Sequence, residues 1–190
     1  MGIRETLQNR RTYYGINSTL PVSEEAVEKL VAELTELVPD AFNMKSARVA
    51  VAFGDAHQKL WDHIYDVFGG KVPREKINSF RAGAGTVLYF YDEDTVRSLQ
   101  EQFAAYAGNF PTWAQQANGM LQLSVWSGLR ELGIGASLQH YNPVIDNAVH
   151  TQFGLPESWH LVAEMPFGGI AAEPAAKDKE DISKRTRFFK

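Results

Sequence analysis

A chain of 190 residues, 44% of them hydrophobic and 22% charged, has room for one α+β domain with a sizeable core. Its net charge of −4 gives no broad basic footprint for nucleic acid or an anionic membrane, so any anion site has to be local. The absence of cysteine excludes disulfides, thiolate metal sites and thiol nucleophiles together, and redox chemistry would need a borrowed cofactor.

The first element is a helix over 3–10, with Ile3 and Leu7 at helical spacing, that delivers Arg10 and Arg11 to an extended Thr12-Tyr13-Tyr14-Gly15. Ser23 followed by Glu24 and Glu25 is an N-cap signature matched to the helix dipole. It opens a helix carrying Val27, Leu30, Val31, Leu34 and Leu37, which stops at Pro39. The loop 40–45 then leads into a strand in which Val49, Val51 and Phe53 alternate with alanines. A helix over 56–68 closes on Gly69-Gly70, and 71–81 carries no readable pattern. Gly85 to Tyr91 is apolar and β-rich, as expected of a central strand covered on both faces.

Helices are expected over about 94–106 and over 113–132, the latter apolar around so much of its circumference that it suggests dimerisation. A glycine stop and short glycine-rich stretch follow at Gly133 to Leu138. Then come a helix over 144–153, a strand over 158–166, and, beyond Gly168-Gly169, a tail rich in alanine, proline and charge. With no repeat or linker, residues 1–190 are expected to form one layered α+β domain.

Chemistry-bearing patterns are sparse. Gly133-Ile134-Gly135 follows a helix and lacks the third glycine of a dinucleotide fingerprint. There is no Walker A sequence and no nucleophile elbow, and the five histidines form no closely spaced pair, so no metal site is expected. Asp92-Glu93-Asp94 falls at a strand-to-helix junction, where capping accounts for it. The basic residues of the tail and Arg10-Arg11 could converge on one phosphate, or could simply be solvated. The N-terminus is amphipathic rather than a secretory signal, and no run approaches ~20 apolar residues, so a cytoplasmic protein is expected, with neither membrane nor nucleic acid as partner.

Taken in order, Arg10-Arg11-Thr12-Tyr13-Tyr14, Val38-Pro39-Asp40-Ala41-Phe42-Asn43, Gly83-Ala84-Gly85-Thr86-Val87-Leu88, Asn118-Gly119-Met120, Leu132 to Pro143 and Met165-Pro166-Phe167-Gly168 span nearly the whole chain. This ordered set resembles the flavin-dependent nitroreductase family, in particular its short branch related to the fatty-acid-repression nitroreductases. The resemblance implies a mainly antiparallel sheet flanked by helices, in an intertwined homodimer binding FMN. It assigns Arg10, Arg11, Thr12 and Tyr14 to the phosphate and ribityl chain, although a basic residue is usual where Tyr14 stands. It places Ala41, Phe42 and Asn43 against the other monomer's flavin. Backbone amides of Leu138, Gln139, His140 and Tyr141 would meet the isoalloxazine, and Arg81 its pyrimidine end. Lys177 is the first candidate for the tail's phosphate contact, with Lys179 and Arg185 behind it.

The implied chemistry is alternating: NADH or NADPH reduces FMN at N5, and a nitroaromatic or quinone-like acceptor then takes the hydride. No side chain is catalytic in that scheme. Two other readings stand beside it: a flavin-binding regulatory or redox-sensing protein of a lipid or stress response, and a dimeric interaction domain without a cofactor.

Overall fold

The computed structural model describes residues 2–178 and 180–190. Helix α1 (Ile3–Asn9) leads through an extended segment to a two-residue strand β1 (Ile16–Asn17). Helix α2 (Glu24–Leu37) is capped as its sequence indicates, with Ser23 Oγ accepting the Ala26 N–H at 3.3 Å. Strand β2 (Ala47–Phe53) runs directly into α3 (Gly54–Val67), two residues earlier than its apolar pattern suggests. Helix α4 (Arg74–Arg81) occupies the stretch that carried no readable pattern, because only Ile77 and Phe80 of it are buried and two apolar residues make no periodicity.

Strand β3 (Gly85–Asp92) is followed by α5 (Glu93–Gln102), which ends sooner than expected and gives way to a 3-10 turn over Ala104–Asn109. The long helix α6 (Phe110–Glu131), strand β4 (Ile134–Ala136), α7 (Asp146–Phe153) and strand β5 (Trp159–Ile170) complete the order.

The strands form one sheet in the order β1-β5-β3-β2, with β4 paired to β5 off that path, and all of these pairs are antiparallel. Central β3 is buried from Gly85 through Tyr91, as its nearly all-apolar composition requires, and the Thr86 hydroxyl is hydrogen-bonded. One face packs under α2 and α6 through Val27, Leu121, Val125 and Leu129 against Val87 and Met165. The other packs under α3, α4 and α7 through Trp61, Ile64, Phe80 and Val149 against Leu88 and Phe90. The fold is therefore helix, sheet, helix in three layers.

β5 continues four residues past Pro166, through Gly168 and Gly169. A Cβ on Gly168 would stand 2.2 Å from the Asn17 carbonyl oxygen, and one on Gly169 would stand 2.1 Å from that of Thr19. The glycines thus mark close backbone approach by β1 rather than a strand end. Phe167 in turn lies opposite both Gly85 of β3 and Ala136 of β4. The C-terminal half of β5 is where the N-terminal segment and the glycine-rich stretch after α6 meet.

Candidate functional site

The segment after α1 is fastened at that junction. Thr12 bridges Ala136 in parallel, the Tyr13 N–H donates to the Ala136 carbonyl at 3.0 Å, and the Tyr13 ring is buried. Two arginines are thereby held at the start of the extended run. The Arg10 guanidinium lies 4.1 Å from the centre of the Trp126 ring, and the Arg11 guanidinium donates through Nη2 to the Ala175 carbonyl at 2.6 Å. Both Nε atoms are buried without a hydrogen-bond partner among the described residues. Among the described residues neither arginine is in a salt bridge with a carboxylate. Burial and the neighbouring Arg11 charge push the Arg10 pKa below the ordinary guanidinium value. Arg130, at the end of α6, adds a third cation by donating to the Tyr13 hydroxyl at 3.2 Å. Unpaired cations with idle donors form a receptor for a compact anion.

Beside this cluster the chain after β4 continues along β5. The Gln139 N–H donates to the Glu164 carbonyl at 2.7 Å and the Glu164 N–H returns to the Gln139 carbonyl at 3.0 Å. Strand alternation then turns the Leu138 and His140 amides toward the opposite edge. Leu138 is half-buried and the His140 side chain is exposed. Tyr141 is buried among Trp61, Phe68 and Phe80. Exposed Tyr14, with its ring 6.2 Å from Phe80, lies over the same aromatic group.

The turn Ala41–Asn43 lies elsewhere. Phe42 (φ 56°), Asn43 (φ 50°) and Lys45 (φ 52°) are all left-handed, a conformation that persists only when its surroundings fix it. Here the Phe42 ring is packed among Phe103, Tyr106, Phe110 and Trp113, and the Asp40 carboxylate accepts both the N–H and the hydroxyl of Ser46. Asn43 is exposed and borders a cavity of about 330 Å³ with Asp40, Arg48 and Leu121. Phe42 contacts the first turn of α6 at Trp113, whereas Arg10 stacks on Trp126, thirteen residues further along the helix or roughly 20 Å at its 1.5 Å rise. Within one chain the two motifs are at opposite ends of α6.

A nitroreductase family model matches residues 7–169. The chain belongs to the nitroreductase family. FRM2, a nitroreductase of Saccharomyces cerevisiae, is 33% identical over 174 residues, 90% of this chain and 89% of that one. The nitroreductase CinD of Lactococcus lactis, solved in complex with chloramphenicol, is 40% identical with a TM-score of 0.95 over 100% of both chains. A protein of Exiguobacterium sibiricum solved in complex with FMN shares the fold, at 12% identity and a TM-score of 0.77 over 100% of this chain and 98% of that one. Family membership places the chain among oxidoreductases.

In this nitroreductase, Thr12 and Tyr13 join the chain at Ala136, two residues before Leu138, Arg10 stacks on the Trp126 that also bonds Ala136, and Tyr14 reaches the aromatic group around Tyr141 through Phe80. Arg81, at the end of α4, instead donates through Nε to both Asp62 carboxylate oxygens at 3.1 Å, and Arg74 shares the same aspartate. The tail is drawn in by Ala171 and Ala172 N–H bonds to the Gly15 carbonyl and passes Arg11 at Ala175, two residues before exposed Lys177. Arg185 pairs with Glu180 at 3.0 Å, and Lys179 lies outside the described residues. Sequence reasoning missed Arg130, which reads as an ordinary basic helix end, and Glu164, whose burial nothing local announces.

Among the described residues no helix is long and apolar enough to cross a membrane, and no group of three or more His, Asp or Glu could hold a metal.

Proposed function

We propose that this nitroreductase is a homodimer that binds FMN and uses NADH or NADPH to reduce nitroaromatic or quinone-like acceptors. The observation that carries the reading is the Arg10-Arg11 pair, fixed on the sheet junction with buried Nε atoms that no described residue satisfies. A phosphate group fits that donor set, since charge-assisted bonds to a dianion are short, directional and strong. The residues present therefore suit FMN, and its complex with the Exiguobacterium protein of the same fold is consistent with this. Bound FMN would supply reversible hydride acceptance and donation, which no side chain here offers.

The chain's own part is binding and orientation. Arg10 and Arg11 hold the phosphate, and Lys177 or Arg185 completes it if the tail closes over the site. Thr12 and Tyr14 offer hydroxyls along the ribityl chain. The Leu138 and His140 amides, turned away from β5, are free donors for the ring's polar edge, with Gln139 and Tyr141 anchoring them. Arg81 is assigned to the pyrimidine end, where its charge would favour a reduced, anionic ring; sharing Asp62 tempers that effect. Asn43 with Ala41 and Phe42 serves the site of a second copy, because roughly 20 Å of α6 separates that turn from the arginines of its own chain.

The acceptor class is supported by CinD structures with chloramphenicol and with 4-nitrophenol, both nitro compounds. Incubating the flavin-free protein with FMN, removing excess, and recording the visible spectrum tests the reading. A retained flavin band with one FMN per chain is expected, and a colourless protein overturns it.

A further inference from the structure

Glu164 stands in the middle of β5 with no exposed surface, and the proposed chemistry makes no use of its side chain. Its cross-strand partner Leu88 belongs to the core under α3, α4 and α7, so the carboxyl points to that face. There Oε2 accepts the Tyr141 N–H at 2.9 Å, while Oε1 is buried with no hydrogen-bond partner among the described residues. No lysine or arginine forms a salt bridge with it among the described residues. A carboxylate deprived of both water and a counter-cation is expensive, so the neutral acid is the form this pocket accommodates.

Of the charged and titratable surroundings, Asp146 reinforces that preference. From α7 come Asp146, whose Oδ1 is also buried without a partner, and His150; His160 lies on β5 itself. Tyr141 covers the group, with Tyr14 beyond it and Lys76 of α4 6.0 Å from the Tyr141 ring centre. His57 of α3 is buried and engaged with Thr86, and β3 presents only Thr86, Leu88 and Phe90 on this face. Burial and the Asp146 charge push the Glu164 carboxyl up to about 8, against the bonds from the Tyr141 and Asn142 amides.

We propose that Glu164 is a positioning residue: its carboxyl pins the Gln139–Tyr141 backbone from beneath the site through the Tyr141 N–H, and ionisation in this dry, cation-free pocket draws in water that loosens the segment although the anion accepts that N–H more strongly. The inference rests on the flavin reading insofar as this segment is the one assigned to the ring. Ionisation would strand a charge beside Asp146, and the strain is relieved by admitting water where the segment covers the carboxyl.

Glu164→Gln keeps an acceptor for the Tyr141 N–H and cannot ionise; Glu164→Ala removes the acceptor. Two readouts separate the outcomes: backbone amide resonances of Tyr141 and Asn142 across pH in the flavin-free protein, and FMN affinity at about pH 6 and about pH 9.5, on either side of the raised value. In the unsubstituted chain the two amides should titrate with a midpoint near 8. FMN affinity should fall roughly tenfold between the two pH values relative to Glu164→Gln, a comparison that cancels the titration of FMN itself. Glu164→Gln should show flat amide shifts, and Glu164→Ala should bind FMN roughly tenfold more weakly at both pH values. Amides that titrate identically in the Gln variant, or a Gln variant as weak as the Ala variant at the lower pH, overturn the proposal. If the unsubstituted chain takes up no FMN at either pH, the functional reading fails, and the amide titration then decides the role of Glu164 alone.

Discussion

His57 and Glu164 are buried on the same side of the sheet with opposite proton linkages. The His57 ring completes a chain in which Trp61 Nε1–H donates to Thr86 Oγ1, the Thr86 hydroxyl donates to Nδ1, and Nε2–H donates to the Arg81 carbonyl. That arrangement needs the neutral ring, and burial lowers its pKa to about 4. A depressed value means stability that is present above pH 6.5 and lost as pH falls toward 4, on the order of 3 kcal/mol in all. Glu164, raised to about 8, does the reverse: stability present below its ordinary value of 4.5 is lost as pH rises to 8. The two slopes cancel between about 4.5 and 6.5, leaving a fall of about 2 kcal/mol from pH 6.5 to 8. Chemical denaturation across pH should show that plateau and fall, with Glu164→Gln removing the fall and exposing a rise between about 4 and 6.5. A Gln variant with the same curve as the parent contradicts the assignment. Arg10→Ala should weaken FMN by ten- to a hundredfold, because a charge-assisted bond contributes about 1.5–3 kcal/mol, while leaving the flavin-free melting temperature nearly unchanged. Arg10 and Arg11 stand out in the sequence because two adjacent arginines end a helix, but only the family resemblance turns them into phosphate ligands. Glu164 does not stand out, since a lone Glu in an alternating strand looks solvent-facing until the layer above it is known.

At the scale of elements, the N-terminal segment is placed by glycine. β1 has only two residues and no sequence signature, and it is held because Gly168 and Gly169 let it approach β5. Gly168→Ala should therefore cost at least about 2 kcal/mol, since its Cβ meets backbone that cannot rotate away, and should release FMN by displacing Arg10 and Arg11. Urea denaturation with flavin-retention measurements checks both. The larger elements were readable in advance: α2 from its Ser23 cap and apolar stripe, β3 from its nearly all-apolar, β-rich run. Helix α4 and β1 were not, because helices with two buried side chains and strands of two residues owe their form to what they pack against.

For the whole molecule, α6 is the axis. It buries Leu121, Val125 and Leu129 within the chain yet leaves Met120 and Leu123 more than two-fifths exposed, an apolar remainder suited to a second copy. The dimer was suggested by the apolar circumference of this helix, and the fold adds a reason that sequence alone could not supply: the Asn43 turn and the Arg10 pair sit at opposite ends of it. Sedimentation equilibrium should give twice the chain mass of 21.3 kDa. Mixing Arg10→Ala and Asn43→Ala protomers should restore some FMN sites that neither variant forms well by itself; no gain on mixing would place Asn43 outside the partner's site. The FMN and acceptor assignments are tested most directly by anaerobic mixing. Protein loaded with FMN is expected to bleach with NADH or NADPH and to regain its colour when 4-nitrophenol or a quinone is added. Flavin that neither nicotinamide reduces would contradict the account and favour a sensing role.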